Sequence, residues 1–131
     1  MKQTLKNWFA ALLLAVPMSA AVASGGHANY EKVDIDLRDQ VSLQHGAQIF
    51  TNYCLSCHSA SGVRFNRLKD IGLTEDEIKK NLMFTTDNVG DVMVAAMDPK
   101  DASKWLGAPP PDLTLIARSK GADYLYAYMR G

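Results

Sequence analysis

The sequence predicts an all-α domain of short helices joined by long loops, and three observations carry that prediction. Helix-start residues recur along the chain at Ser42, Thr74, Asp98 and Asp112, and apolar residues follow them at helical spacing. Only one segment, Val33, Ile35 and Leu37 between Asp34, Asp36 and Arg38, alternates with period two. A lone alternating segment has no partner strand, so it reads as an extended arm lying across the domain. The chain has 131 residues, enough for one domain, and its 47% hydrophobic and 21% charged residues are the balance of a globular chain. It contains no internal repeat and no low-complexity stretch.

The elements follow in order. Lys2 and Lys6 precede an apolar run at 8–16, Pro17 ends it, and small residues continue to Ala21-Val22-Ala23. A positive start, a short apolar stretch and an Ala-x-Ala site are the three parts of a secretory signal peptide, expected here over residues 1–23. Residues 24–131 are then the exported domain, opening on a flexible lead-in at 24–29. Ser42 is expected to cap a helix carrying Leu43, Ala47, Phe50 and Cys54, with Gly46 permitting close approach of a neighbour. Thr74 and Glu77 form a capping box that opens a helix to about Met83 and buries Ile78 and Leu82. Asp98-Pro99 starts the next helix and Gly107 stops it. Asp112, after three prolines, is expected to cap a short helix containing Leu113, Leu115 and Ile116. Gly121 and Asp123 restart the chain for 124–130.

Charge and cysteine content exclude several classes. Fourteen Lys and Arg balance fourteen Asp and Glu. Removal of residues 1–23 takes away two bases and no acid, leaving a formal charge of −2. That lacks the basic signature of a nucleic-acid binder. Two cysteines cannot build a disulfide scaffold. No run reaches the roughly 18 apolar residues that a membrane helix requires.

The decisive feature is Cys54-Leu55-Ser56-Cys57-His58. Residues at i, i+3 and i+4 of a helical turn share a face. Two thiols there can form thioethers with both vinyl groups of one haem while His58 reaches the iron from the same side. This is the attachment signature of c-type haem. A thioredoxin-type redox pair would place its first Cys after a buried strand, at a helix N-terminus; Cys54 instead ends a helical pattern. A zinc site would need a second pair of ligands, and His27 and His45 offer no recognisable spacing. A structural disulfide is the remaining alternative.

The motif in its setting resembles the cytochrome c1 family, the haem subunits of the cytochrome bc1 complex. The resemblance rests on Asn52-Tyr53-Cys54-Leu-Ser-Cys-His58, on Arg64-Phe65-Asn66-Arg67, on the segment 108–118 with Pro111-Asp112-Leu113 and Ala117-Arg118, and on Gly121-Ala-Asp-Tyr124. It covers roughly residues 30–131 and implies a cytochrome c-like arrangement around one covalent haem c, held by Cys54 and Cys57 with His58 as proximal iron ligand. It also implies a bacterial respiratory-chain protein on the periplasmic side of the inner membrane. Its partners would be cytochrome b, the Rieske iron–sulfur protein as electron donor and a cytochrome c as acceptor. The chain would be an electron carrier by itself and a subunit of ubiquinol–cytochrome c reductase in the complex. The family's sixth ligand, a methionine, and its C-terminal membrane anchor are expected beyond Gly131, so the sequence reads as an N-terminal part.

The carbonyls of Pro109, Pro110 and Pro111 lie on a rigid chain without competing N–H groups, and one could accept from the His58 ring. Arg118, Lys120 and Tyr124 could reach haem propionates, with Tyr124 the better match to the family and Arg118 and Lys120 equally readable as solvated surface. Arg64 and Arg67 flank Phe65 and could border the haem, or form a surface pair. Met83, Met93, Met97 and Met129 are expected to pack. The alternative function is a free-standing small periplasmic c-type cytochrome using an internal methionine, with Met97 the candidate. A periplasmic thiol–disulfide oxidoreductase is the third reading.

Overall fold

The computed structural model describes residues 30–131. The expected signal peptide and lead-in lie outside the described residues. Helix α1 (Gln40–Ile49) runs into a π-helical turn (Phe50–Cys54), followed by strand β1 (Ala60–Arg64) and a 3-10 helix (Phe65–Ile71). Helix α2 (Glu75–Asn81), strand β2 (Val92–Met93) and helices α3 (Pro99–Leu106), α4 (Ile116–Lys120) and α5 (Ala122–Arg130) complete the order.

About half of the described residues are helical, with one correction to the all-α expectation. Strands β1 and β2 pair antiparallel, Ala60 opposite Met93 and Arg64 opposite Val92, with an irregularity between them. Backbone bonds from Phe65 to Asp91 (3.1 Å) and Asn66 to Val89 (2.8 Å) prolong the contact. Strand β1 reads Ala-Ser-Gly-Val-Arg and β2 has two residues. Neither is long or apolar enough to show a period-two face.

The helix signals are realised unevenly. The N-cap of α1 is Asp39, whose carboxylate accepts from the Ser42 N–H; Ser42 lies inside the first turn. Among the described residues no atom lies within 4 Å of a Cβ built at Gly46, so none of them uses its smallness. At α2 both halves of the capping box form: the Glu77 N–H donates to Thr74 Oγ1 at 3.3 Å, and the Thr74 N–H to the Glu77 carboxylate at 2.8 Å. Helix α2 ends at Asn81, short of Met83, but Ile78 and Leu82 are buried as expected. Glu75 in its first turn is held down to about 2 by hydrogen bonds and charge from Lys69 and then Lys79. Helix α3 starts at Asp98-Pro99 and stops at Gly107, whose φ of 82° is the left-handed conformation that suits glycine.

One apolar core joins these pieces. Leu55, Ala60, Phe65, Ile78 and Met93 are buried together, with Phe50, Val63, Leu68 and Met83 packed around them. Phe65 and Ile78 have no exposed surface, and each such burial contributes roughly 1.5–3 kcal/mol. The arm at 30–36 carries no regular structure and lies on α5. There the Val33 N–H donates to Asp123 Oδ1 at 3.0 Å, and Lys32 Nζ to Asp123 Oδ2 at 2.8 Å. Tyr30 meets the Tyr124 ring edge-on at 5.5 Å.

Candidate haem-binding site

Helix α1 does not enter the Cys-x-x-Cys-His motif in simple α geometry. The Leu55 N–H donates to the Phe50 carbonyl at 2.9 Å, five residues back, so the last turn is widened. Regular geometry then resumes, because the N–H groups of Cys57 and His58 both donate to the Cys54 carbonyl, at 3.0 and 2.8 Å. Leu55 is 1% exposed and points into the core, whereas Cys54, Cys57 and His58 are half-buried. The carbonyls of Leu55 and Ser56 accept from Ala96 (3.2 Å) and Met97 (3.0 Å). The two middle residues of the motif therefore tie the turn to the core and to the following loop. The reactive residues are left on the other side, and both cysteines are free thiols.

His58 has a defined partner. Its Nδ1 lies 2.8 Å from the Pro111 carbonyl oxygen. A carbonyl can only accept, so Nδ1 carries the proton, and in the neutral ring it is Nε2 that keeps a lone pair for a metal. The structure thus brings together Cys54, Cys57, His58 and Pro111, and selects Pro111 from the three prolines. A cleft of about 300 Å³ opens beside Cys57, lined also by Met97, Pro109 and Pro110. A larger cleft of about 770 Å³ runs along Arg64, Phe84 and Val94 and contains none of the motif residues. Donor chemistry, not volume, locates the site.

The segment after the prolines is fastened along the motif and β1. The Leu113 N–H donates to the Ser59 carbonyl at 2.7 Å. Asp112 Oδ2 accepts from the Ser61 N–H at 2.9 Å and the Ser61 hydroxyl at 2.6 Å, and Oδ1 from the Thr114 N–H at 2.8 Å. Asp112 is therefore not the cap expected from sequence: α4 begins later, at Ile116, with Leu115 at its cap position and no side-chain cap bond. Its carboxyl is held well below the usual range, first by the Ser61 hydroxyl and then by Thr114. Sequence reasoning missed Ser61 and Thr114 altogether. The only local signal was an Asp two residues before a Thr, which permits an Asx turn.

The remaining sequence candidates are dispersed. Arg118 is exposed. Tyr124 is half-buried between Tyr30 and Tyr128, with the Lys120 ammonium 5.7 Å from its ring centre. Arg64 donates to the Gly90 carbonyl and borders the larger cleft, while Arg67 pairs with Asp70 at 2.6 Å on the surface. Of the methionines, Met93 is in the core and Met83 packs against it, whereas Met129 is 73% exposed and so does not take the packing role expected of it. Met97 lies in a loop, half-buried at the cleft beside Cys57.

The Cytochrome C1 family model matches residues 32–131. The chain belongs to the cytochrome c1 family. It is 48% identical over 122 residues to cytochrome c1 of Allochromatium vinosum, an alignment covering 92% of this chain and 50% of that protein. Cytochrome c1 of Rhodospirillum rubrum is 31% identical over 147 residues, covering 93% of the chain and 54% of that protein. A Nitrosomonas europaea protein named ammonia monooxygenase gamma subunit is 50% identical over 121 residues, covering 91% of the chain and 52% of that protein. The chain spans about half the length of these relatives. Cytochrome c1 proteins carry one haem c bound covalently through two cysteines, and that is the cofactor of this chain. The donor set fits it: two free thiols and an imidazole whose Nδ1 is bonded to a carbonyl, leaving Nε2 for the iron, all on one turn.

Proposed function

We propose that this chain is an electron-transfer haem protein of the cytochrome bc1 type, in which Cys54 and Cys57 form the thioethers and His58 Nε2 is the proximal iron ligand. One observation carries the assignment: the three side chains share a turn whose imidazole already has Nδ1 committed to the Pro111 carbonyl. The haem supplies one-electron redox chemistry when bound. The protein's part is to hold the ring in one orientation, to keep Nδ1 protonated and to shield one side of the site with the proline run. Arg118 and Tyr124 are the proposed partners of the propionates, a cation and a phenol that would offset their negative charge. Residues 1–23 are the proposed export signal and residues 24–131 the haem domain, placed at the periplasmic face of the inner membrane. Cytochrome b and the Rieske protein are the proposed partners in the complex, and a cytochrome c the acceptor.

The test is direct. Full-length chain matured with haem is expected to keep its colour through acid–acetone extraction, and the Cys54→Ala/Cys57→Ala double variant to lose it. Covalent haem retained by the double variant would overturn the assignment. His58→Ala is expected to alter the iron-ligand spectrum instead. Because Met97 borders the cleft beside Cys57, a second reading is a free-standing cytochrome using Met97 as sixth ligand. A near-infrared methionine–iron band lost specifically in Met97→Leu would favour that reading.

A further inference from the structure

The Pro111 carbonyl sits at His58 Nδ1, yet nothing in the proline run itself can hold it there. Pro109, Pro110 and Pro111 have fixed φ angles and no N–H groups, so the run cannot hydrogen-bond itself to a neighbour through its own donors. The first residues able to anchor it follow immediately. Leu113 bonds Ser59 through its backbone, and Asp112 uses both carboxylate oxygens to take three donors from Ser61 and Thr114. Thr114 completes the clasp by accepting the Gly62 N–H at 3.0 Å. A Cβ at Gly62 would overlap the Thr114 methyl group, so the close approach depends on glycine there.

We propose that Asp112 is a positioning residue for His58: its carboxylate clasps residues 111–114 to β1, so that the Pro111 carbonyl is held on Nδ1 and Nε2 is presented to the iron in one orientation. This rests on the haem reading above. The carboxylate has no competing role as a helix cap, because α4 begins four residues later. Its bonds to Ser61 and Thr114 are charge-assisted, the stronger class for a solvent-facing clasp. Its depressed acidity agrees with the geometry, since all three donors favour the ionised form. A firm Nδ1–H···O bond makes the imidazole a stronger donor and favours the oxidised iron. Loosening the clasp weakens that bond and raises the reduction potential.

The experiment uses full-length chain matured with haem and labelled with ¹⁵N-histidine. Three quantities are read: solvent exchange of the His58 Nδ1–H, the reduction potential, and displacement of His58 by added imidazole. In Asp112→Ala the ring proton is expected to exchange faster, the potential to rise, and displacement to become roughly 10–100-fold easier, the range for outer-shell partners of a metal ligand. Asp112→Asn, which keeps one acceptor oxygen, is expected to fall between. Gly62→Ala is expected to shift all three the same way by displacing Thr114 without touching the carboxylate, and it keeps the test decisive if Asp112→Ala fails to fold. Covalent haem with all three quantities unchanged in Asp112→Asn and Gly62→Ala would overturn the positioning role alone. A wild-type chain that takes no covalent haem overturns the haem reading with it.

Discussion

Residues 55–93 and residues 99–131 are held by different forces. In the first region six apolar side chains are buried, from Leu55 to Met93, whereas the second contributes only Ala102. Neither α4 nor α5 buries any residue among those described. What fixes the second region is polar: Asp112 on Ser61 and Thr114, Asp123 on Lys32 and Val33, and Leu113 on Ser59. The site draws on both. The Cys-x-x-Cys-His turn hangs from the apolar core through Leu55, while the carbonyl behind His58 arrives on the polar-stapled segment. Burial is non-directional and cooperative, so the turn stands or falls with the core. Hydrogen bonds are directional and local, so the backing carbonyl can be loosened while the rest stays folded.

The largest effect is expected in the core. Phe65→Ala removes a fully buried ring and is expected to cost about 3–5 kcal/mol in denaturant unfolding. The loss would be shared by the motif turn and measured as one transition. A loss under about 1 kcal/mol would break the comparison, because the first region would then not depend on its packing.

A smaller effect is expected at the α2 start. Thr74→Ala removes one half of the capping box and is expected to cost about 1 kcal/mol, with Ile78 amide exchange rising before that of Cys57. Equal acceleration at both would show that α2 and the motif open together.

The smallest effect is expected from acid, and it sharpens the contrast. The carboxyls of Asp112 and Asp123 are held below the usual 3.8, the first chiefly by the Ser61 hydroxyl and the second chiefly by Lys32. Groups lowered in the folded state add stability above their unfolded value, and that contribution is lost as pH falls through the lowered value. Acidification below the ordinary carboxylate range is therefore expected to shift the Ser61 and Val33 amide resonances while the methyl resonances of Ile78 stay in place. Simultaneous collapse of both sets would erase the distinction between the regions.

Legibility followed the same division. The capping box at Thr74, the Asp98-Pro99 start, the Gly107 stop and the buried pair Ile78 and Leu82 were readable because each depends on residues within one or two turns. Ser42 was misread because Asp39, three residues earlier, offers an equally good cap and wins by starting the helix at Gln40. The β1–β2 pair was invisible because its strands are short and nearly 30 residues apart, so nothing local marks them. Asp112 was misread for the same reason. A carboxylate after prolines looks like a cap until Ser61, 51 residues away in sequence, takes it.

The sequence by itself determined which reactive groups stand together: two thiols and an imidazole at i, i+3 and i+4, a spacing that any helical turn converts into a shared face. It also marked the starts of α2 and α3 and the stop at Gly107, since caps and a left-handed glycine act over a few residues. Only the tertiary structure decided which carbonyl backs His58, which carboxylate clasps that carbonyl in place, and how a widened π turn sends Leu55 inward and the motif outward. The first two outcomes depend on donors and acceptors far apart in the chain meeting within 3 Å. Such meetings are set by how the apolar core places the segments, not by the residues on either side.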